Sequence, residues 1–281
     1  MCAKSGTALL TKAKLAKKDE FYTQLGDIER EVIHYRDYFR GKTVLCNCDD
    51  PRVSNFFHYF SYNFEFLGLK KLISICFKNQ ERDLFTTKAT DRAIWLEYDG
   101  DKNGSRIPDP NEIGIHYLEG DGDFRKEESI SLLKQADVVV TNPPFSLFRE
   151  YVAQLVRYEK KFLIIGNVNA LKYKEIFPLI KQDKMWLGCS IHSGDREFGV
   201  PDDYPLEASS CRIDERGRKF IRVKGVRWYT NIEHRERHEE MILYRKYDPA
   251  VYPKYVNYDA IEVGKTADIP CDYDGVMGVP I

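Results

Sequence analysis

Short apolar runs rich in Val, Ile and Leu recur along the chain, each bounded by glycine, proline or charged residues. Runs of this length with β-branched members are typical of strands that are buried on both faces of a sheet. In the first 170 residues they cover 42–48, 71–77, 93–98, 113–118, 137–141 and 162–166. The run at 137–141, DVVVT, predicts a strand most clearly because it holds three consecutive valines.

Amphipathic segments separate several of these strands. Apolar residues recur at helical spacing in 55–66, 127–135, 146–158 and 170–181. Gly68 is expected to end the first helix and Ser146 to cap the third, whose inward side chains would be Phe148, Val152, Leu155 and Val156. Strands that alternate with helices predict a mainly parallel, doubly wound α/β sheet, and the polar turn after 93–98 indicates an insertion in it.

The pattern becomes rich in strands and loops after residue 182. Strands are predicted at 185–191, 220–223, 226–230 and 241–244, the middle two joined at Lys224-Gly225. The sequence stops within an apolar run at 275–281, from which we expect a truncated chain or further C-terminal elements.

The composition is that of a soluble globular protein. The chain has 281 residues, 43% of them hydrophobic, and 43 basic side chains balance 44 acidic ones for a net charge of −1. No apolar run reaches about 18 residues and no signal peptide is evident, so a cytoplasmic protein is expected. The seven cysteines are scattered without a C-x-x-C pair, which predicts reduced thiols and no metal site.

Charge is unevenly distributed despite this balance. Two segments are clearly basic: residues 1–18, with five lysines and no acid, and residues 212–227, with seven basic side chains against Asp214 and Glu215. Such segments contact nucleic acid in some proteins and face solvent in others. Charge alone favours the solvent-exposed face.

Polar residues follow three of the predicted strands at the point where each strand ends, in 47–50, 120–124 and 142–145. Ligands of open α/β sheets bind beyond the carboxyl ends of the strands, where the strand order reverses, so these segments are expected to meet there. The sequence has no G-x-G-x-x-G after the first strand and no G-x-x-x-x-G-K-[ST]. A dinucleotide enzyme and a P-loop enzyme are therefore disfavoured.

The tetrad Asn142-Pro143-Pro144-Phe145 is the most specific signal in the sequence. Two consecutive prolines fix φ and remove two N–H donors, so the turn presents acceptors in a rigid geometry. The Asn142 side-chain oxygen and the Pro143 carbonyl could hold both hydrogens of a planar exocyclic amine and favour a pyramidal nitrogen, with Phe145 stacked on the ring. The alternative is a plain strand-to-helix turn in which the asparagine is a cap.

This tetrad resembles the [DNS]-P-P-[YFW] motif of S-adenosylmethionine-dependent methyltransferases that act on amino groups. More closely, the chain resembles the EcoRI-type adenine-specific DNA methyltransferases in six ordered stretches, 19–32, 44–60, 119–125, 139–152, 163–180 and 226–235. The resemblance implies a Rossmann-like, doubly wound methyltransferase sheet with a β- and loop-rich C-terminal DNA-recognition region. It divides the chain into a basic arm and cofactor-closing segment (1–40), a catalytic core (41–190) and the remaining core strands with the target-recognition region (191–281).

The resemblance also implies a role for particular residues. Asn142, Pro143, Pro144 and Phe145 match the catalytic tetrad. The segment that closes over the methionine end of S-adenosyl-L-methionine is matched by Phe21, Tyr22 and Thr23. After the third strand, Asp123 would accept from the adenine amine of this cofactor and Phe124 would pack on its ring.

The chain departs from the family pattern in two places. The usual D/E-x-F-x-G-x-G after the first strand is replaced by Asn47-Cys48-Asp49-Asp50, so cofactor contacts are expected from these residues, with the choice between the two aspartates open. Many relatives end the second strand in an acid that binds the ribose hydroxyls. Here that role falls to Asn79 or to no residue of that strand.

The implied activity is direct methyl transfer to N6 of an adenine flipped out of double-stranded DNA, without a metal or a covalent enzyme intermediate. It would serve restriction–modification or protection of a phage or mobile element. The resemblance also favours DNA contact for the second basic segment. The side chains expected at the phosphates are Arg216, Arg218, Lys219, Arg222 and Lys224.

Other interpretations stay open at this point. The same tetrad serves S-adenosylmethionine-dependent methyltransferases of RNA and of protein amides, and a catalytically inactive nucleic-acid-binding relative would share the fold. A monomer is expected. A cognate restriction endonuclease could act on the same DNA site, and no stable complex with it is expected.

Overall fold

The computed structural model describes residues 21–48, 54–75, 93–105, 107–201, 204 and 211–279. The chain forms two compact units, Met1–His234 and Arg235–Ile281. The domain boundaries predicted at residues 40 and 190 separate regions of different expected function, not compact units, and they stay a prediction. Several expected site residues lie outside the described ranges: Asp49, Asp50, Asn79 and the lysines of the N-terminal arm.

Fourteen strands form within these ranges. They are β1 (Tyr22–Thr23), β2 (Thr43–Cys46), β3 (Lys71–Ile75), β4 (Ile94–Tyr98), β5 (Gly114–Tyr117), β6 (Val138–Thr141), β7 (Lys161–Asn167), β8 (Trp186–Leu187), β9 (Asp195–Val200), β10 (Cys211–Ile213), β11 (Lys219–Lys224), β12 (Val226–Thr230), β13 (Ile261–Glu262) and β14 (Met277–Gly278).

The α-helices of the same ranges are α1 (Leu25–Val32), α2 (Asn55–Tyr62), α3 (Phe64–Leu67), α4 (Glu127–Gln135), α5 (Phe148–Arg157) and α6 (Phe177–Lys181). Short 3-10 segments occupy Ile33–Phe39, Val168–Lys172, Arg235–His238 and Thr266–Asp268. None of the helices in this part of the chain has the length and apolar character needed to cross a membrane.

Eight strands of the first unit form one mixed sheet in the order β5-β4-β3-β2-β6-β7-β12-β8. Its centre, β3-β2-β6-β7, is parallel, and the outer pairs are antiparallel. The expectation of a mainly parallel sheet is therefore corrected, since only three of the seven neighbouring pairs are parallel. The predicted insertion is confirmed, because β4 lies between β3 and β5 and runs opposite to both. The described residues between β4 and β5 form no crossover helix, as expected for two strands that pair antiparallel.

Successive strand residues face opposite sides of this sheet, and both sides are covered. Val44 on β2 and Val140 on β6 belong to a core shared with α1, α2, α3 and a second sheet. Leu45 and Val139, each one position away, belong to another core formed with α4 and α5. A strand covered on both faces has no polar side, which explains the continuous apolar runs of the sequence.

The second sheet is antiparallel, with the order β1-β9-β11-β10. Phe198 on β9 and Ile221 on β11 point into the core shared with α1, α2 and α3. Strands β11 and β12 follow one another at Lys224-Gly225 as predicted, but they belong to different sheets. Gly225 has a φ of 69°, and a Cβ there would lie 2.8 Å from Cγ1 of Val168, so the bend requires glycine.

Two predicted elements past the parallel centre are wrong. The helix expected at 170–181 is divided into the Val168–Lys172 segment and α6, because Pro178 in the first turn of α6 has no N–H to extend a preceding helix. The strand expected at 241–244 does not form. Ile242 in that segment is 90% exposed, so its apolar side chains have no sheet face on which to pack.

The start of α5 also differs from its prediction. Ser146 is not the cap: residues 145–147 form a turn closed by the Leu147 N–H, which donates to the Pro144 carbonyl at 2.9 Å. The helix then begins one residue later, at Phe148. Its buried side chains are Phe148, Tyr151, Val152 and Leu155, and Val156 is 41% exposed instead of inward.

A fully buried carboxylate fixes α1 against the loop that follows β8. Glu31 accepts hydrogen bonds from the backbone N–H groups of Cys189, at 2.8 Å, and Ser190, at 2.7 Å. The Tyr35 hydroxyl donates to the same side chain at 2.9 Å. Burial, reinforced by the neighbouring Glu31, raises the pKa of Tyr35, so this hydroxyl keeps its proton.

Replacing Glu31 with alanine is expected to lower the free energy of unfolding by about 3 kcal/mol or more, since two buried donors and one partly buried donor lose their acceptor at once. Urea unfolding followed by circular dichroism measures this loss. The matched control is Glu29→Ala on the exposed side of the same helix, which should change stability by about 0.5 kcal/mol or less. Equal losses for the two variants would contradict the role of Glu31.

Candidate active site

Two asparagines leave the large sheet side by side at the carboxyl ends of its central strands. Asn47 follows β2 and Asn142 follows β6, and these strands are parallel neighbours. From β2 the chain continues to β3 on one side and returns through β6 on the other, so the strand order reverses between β2 and β6. Open α/β sheets bind their ligands at such a point.

The Asn142 side chain has one satisfied end and one unsatisfied end. Its Nδ2 donates to the carbonyl of Phe21 at 2.6 Å, and since only the amide nitrogen can donate, this contact fixes which way the amide faces. Its Oδ1 is buried and has no hydrogen-bond partner in the described part of the chain. A buried acceptor in this state costs free energy, and a ligand N–H would satisfy it.

The rest of the tetrad forms the wall beside this atom. Pro143 is buried, and Pro144 closes the turn through its carbonyl. Phe145 is half-buried and meets the ring of Phe21 edge to face, with ring centroids 5.8 Å apart. The plain-turn interpretation of the tetrad does not account for a buried asparagine oxygen that caps nothing.

The segment expected to close over the cofactor separates into two faces. Phe21 and Thr23 are buried, and Phe21 also meets Phe198 of β9, with ring centroids 6.0 Å apart. Tyr22 is half-buried and lies against the opposite face, where its Cβ is 3.5 Å from the position of a Cβ on Gly199. Only Phe21 and Thr23 therefore face the side on which Asn142 lies.

A buried tyrosine joins the first and second polar strand ends. The Tyr151 hydroxyl donates to Oδ1 of Asn47, and the Tyr151 ring meets Phe124 edge to face at 5.1 Å. Burial raises the pKa of Tyr151 well above its usual value, and the nearby Cys48 adds to this effect. Tyr151 lies on α5, the helix that follows the tetrad, so it links the first two polar segments to that helix, and the meeting of all three segments at one ligand stays a prediction.

Tyr151 was missed by sequence reasoning, although a signal existed. It lies three positions after Phe148 and one before Val152, on the inward face of α5. A tyrosine on such a face needs a partner for its hydroxyl, and the polar end of β2 is the available one.

Asp123 is already engaged by a neighbour. The Arg125 guanidinium binds both of its oxygens, with Nε 2.9 Å from Oδ1 and Nη2 2.6 Å from Oδ2. This bidentate contact, more than any other, lowers the pKa of Asp123 and keeps it ionised. Each carboxylate oxygen can still accept a further hydrogen bond, so a role toward a ligand amine remains a prediction.

The basic segment folds into the β10–β11 hairpin, and its side chains point in two directions. Arg222 and Lys224 are exposed and alternate with the buried Ile221 and Val223. Lys219 belongs to the buried face of this alternation and is half-buried, with Nζ 3.5 Å from the carbonyl of Tyr204. The five expected DNA contacts therefore do not form one surface.

Acidic neighbours neutralise part of this segment. Arg212 binds Glu197 of β9 through two nitrogens, at 3.1 and 2.5 Å, and Arg218 binds Asp214 at 2.7 Å. The side chains of Arg216, Arg222 and Lys224 form no ion pair with the described residues. The sequence could not indicate the ion pair between Arg212 and Glu197, because Glu197 lies on another strand.

Sheet and site together define an α/β protein with a buried, unsatisfied amide oxygen at the switch point of its central strands. The chain belongs to the adenine-specific methyltransferase EcoRI family, whose model matches residues 9–281. It is 51% identical to the type II methyltransferase M.EcoRI of Escherichia coli, over 100% of this chain and 86% of that protein. The resemblance inferred from the six stretches is confirmed, and the chain is an adenine-specific methyltransferase.

Two relatives from mycoplasmas are more distant. The chain is 39% identical to the type II methyltransferase M.MgeORF184P of Mycoplasma genitalium, over 96% of this chain and 80% of that protein. It is 38% identical to M.MpnI of Mycoplasma pneumoniae, over 96% and 79%. A solved structure, the putative RNA methyltransferase PH1948 from Pyrococcus horikoshii, gives a TM-score of 0.31 at 13% identity over 72% of this chain and 80% of that one, too low to equate the folds.

Replacing Arg125 with methionine is expected to raise the pKa of Asp123 toward its usual value of about 3.9, because the guanidinium that holds the ionised form is lost. A carboxylate whose pKa is lowered by folding stabilises the fold above its unfolded pKa, and this contribution disappears as the pH falls through the lowered value. The wild type should therefore exceed the variant in unfolding free energy by about 0.5–1 kcal/mol near pH 7, and by less near pH 3.

Carboxyl NMR titration and urea unfolding at both pH values measure these two effects. Arg157→Met on the exposed side of α5 is the control, because Arg157 forms no ion pair with the described residues. If the Arg125 variant lost the same unfolding free energy at both pH values, loss of the ion pair with Asp123 would not be the cause.

Proposed function

We propose that this adenine-specific methyltransferase transfers a methyl group from S-adenosyl-L-methionine to N6 of an adenine in double-stranded DNA, with Asn142 as the group that binds the amine. The unsatisfied, buried Oδ1 of Asn142 carries this proposal. It is an acceptor fixed in direction at the switch point of the sheet, and the adenine N6 amine is a donor of two hydrogens.

The chemistry follows from these acceptors. The lone pair of an exocyclic amine is delocalised into its ring, so the nitrogen is a weak nucleophile. Asn142 Oδ1 and the Pro143 carbonyl would accept its two hydrogens, favour a pyramidal nitrogen and return the lone pair to it. Catalysis of this kind consists of positioning and charge arrangement and needs no covalent enzyme intermediate.

Phe145 would stack on the target base. An adenine within a duplex cannot reach a buried atom such as Asn142 Oδ1, so the base must leave the helix. The Phe145 ring is half-buried and is held by its edge-to-face contact with Phe21, which leaves part of it accessible to a flipped base.

S-adenosyl-L-methionine supplies an electrophilic methyl group on sulfur. The described residues at the same sheet edge have side chains that suit such a ligand. They are the ionised Asp123, the aromatic ring of Phe124 and the buried amide of Asn47. Asp123 and Phe124 would bind the adenine end, Asn47 and Cys48 would line the end of β2, and Phe21 and Thr23 would cover the methionine end. Tyr22, on the opposite face, is the least suited of the proposed contacts.

The finer fold assignment belongs to the same proposal. The centre β3-β2-β6-β7 would be the Rossmann-like part of a methyltransferase sheet, and 191–281 would contain the DNA-recognition region. We propose double-stranded DNA in the cytoplasm as the substrate, a monomeric enzyme, and a biological setting of restriction–modification in which an endonuclease acts on the same site.

Replacing Asn142 with alanine is expected to lower kcat by at least about 100-fold, because the acceptor for the amine is lost. Transfer from methyl-labelled S-adenosyl-L-methionine to unmethylated plasmid DNA measures it, with mapping of the modified base. Wild type should place the label in N6-methyladenine at one short motif. Asn111→Ala on an exposed loop is the control and should retain full activity.

Other outcomes of this experiment separate the alternatives. Label in RNA or in a glutamine side chain, and none in DNA, would show that the tetrad acts on another planar amine. DNA binding without any S-adenosyl-L-methionine binding would indicate an inactive relative. An Asn142→Ala variant with wild-type kcat would contradict the assigned role of this residue.

Replacing Arg222 and Lys224 together with alanine is expected to weaken DNA binding about equally for all sequences. Both side chains are exposed and form no ion pair within the described residues, although acids lie opposite them on β9. Such charges are suited to phosphates, and each lost contact should reduce the slope of log K against log salt by about 0.9. Fluorescence anisotropy with labelled duplexes at several salt concentrations measures the slope.

The exposed Lys174 lies outside the hairpin, and Lys174→Ala should leave the slope unchanged. Arg218→Ala, which removes a charge already paired with Asp214, should have a smaller effect than either Arg222→Ala or Lys224→Ala. An unchanged slope in the double variant would exclude this surface from phosphate contact.

A further inference from the structure

Strand β1 is held on both of its edges, by a strand on one edge and by two side-chain amides on the other. On one edge it pairs with β9, with Tyr22 opposite Gly199 and Thr23 opposite Phe198. Its other contacts are made by side-chain amides from the large-sheet layer: Asn142 donates to the Phe21 carbonyl and Asn55 donates to the Thr23 carbonyl, each at 2.6 Å. Carbonyls two positions apart in a strand point the same way, so the two amides replace a neighbouring strand.

Asn55 is well placed to anchor β1. It is the first residue of α2, whose next residues, Phe56 and Phe57, are buried in the core. The backbone of Asn55 is thereby fixed, and its half-buried side chain leaves the helix to reach Thr23. An asparagine in the first turn of a helix commonly serves that helix, whereas this one serves another segment.

A second unsatisfied atom lies on the residue that Asn55 holds. The Thr23 hydroxyl is buried, and Thr23 Oγ1 has no hydrogen-bond partner within the described ranges. The two amides therefore hold β1 in a way that leaves one side-chain oxygen unsatisfied at each anchor, Thr23 Oγ1 and Asn142 Oδ1. Unsatisfied buried oxygens at both anchored positions indicate groups that await ligand partners.

We propose that Asn55 is a positioning residue for the methyl donor. It holds the Thr23 carbonyl and so directs the Thr23 hydroxyl toward S-adenosyl-L-methionine, without touching that ligand itself. The inference rests on the proposed function for the identity of the ligand. Asn55 lies outside the family motif, and the Thr23 hydroxyl is the group through which it acts on the ligand.

Asn55→Asp is the first variant to measure. A carboxylate in the first turn of α2 is favoured by the helix dipole, so the fold is retained, but it cannot donate to the Thr23 carbonyl. We expect the Kd of S-adenosyl-L-methionine, measured by titration calorimetry without DNA, to rise about 3- to 12-fold. Asn55→Ala should give a similar rise.

Asn63→Ala is the matched control. Asn63 also donates its side-chain amide to a backbone carbonyl, that of Tyr59 at 2.9 Å, but this bond lies between α2 and α3 and does not reach β1. The control should lower the melting temperature and leave the Kd unchanged. If Asn55→Asp and Asn55→Ala do the same, Asn55 has only a structural role and the proposal fails.

A double-mutant cycle tests whether Asn55 acts through the Thr23 hydroxyl. Thr23→Val removes the hydroxyl at nearly constant shape and should raise the Kd by itself. Asn55→Ala in that background should add little, because the group it directs is gone. Additive increases would overturn the proposed route.

These outcomes are distinguishable from failure of the proposed function. Binding of S-adenosyl-L-methionine that depends on Asn55, together with absence of label in adenine, would retain the inference and reject the DNA substrate. Methylated adenine with a Kd that is insensitive to Asn55 would do the reverse. A wild-type chain that does not bind S-adenosyl-L-methionine would reject both.

Discussion

The hydrogen bond from the Asn142 amide to the Phe21 carbonyl is the contact on which the site depends. It determines which end of the amide faces the ligand, and it joins the large sheet to β1. Strand β1 is only two residues long and pairs on one edge, with β9. On its other edge the side-chain amides of Asn142 and Asn55 hold the backbone, while Phe198 and Phe145 pack against the Phe21 ring. The same bond therefore orients the Asn142 side-chain oxygen and holds the backbone of the residue whose ring packs against Phe145.

The architecture of the large sheet explains why this contact can form. Parallel central strands that are covered on both faces end at one edge, and the reversal of strand order separates the helices that would otherwise cover that edge. Asn47 and Asn142 emerge there as buried amides. One finds its donor in Tyr151, whereas the side-chain oxygen of the other stays unsatisfied. This difference between two neighbouring asparagines distinguishes a structural amide from one that is available to a ligand.

Much of this arrangement could be predicted from the sequence, because it rests on local signals. The apolar runs located the central strands, and the tetrad located Asn142 at the end of one of them. The antiparallel direction of the outer strands was harder to predict, since the direction of a strand depends on how its connection crosses the sheet. The contact made by Asn55 was not predictable, and for Tyr151 the sequence indicated only that an inward-facing hydroxyl needs a polar partner. Their partners lie 32 and 104 positions away, and no spacing rule relates such residues before the chain is folded.

The charge of the β10–β11 hairpin illustrates the same limit in electrostatic terms. Counted along the chain, the segment is strongly basic. In the fold, β9 lies beside β11 and brings Glu197 to Arg212, while Asp214 in the turn binds Arg218. Of the remaining exposed basic side chains, Arg222 and Lys224 lie on the face opposite the one that packs toward Phe21, and Arg216 lies in the turn before β11. The net charge that a DNA backbone would meet at this hairpin is therefore set by pairing across the second sheet and not by the number of basic residues in 212–227.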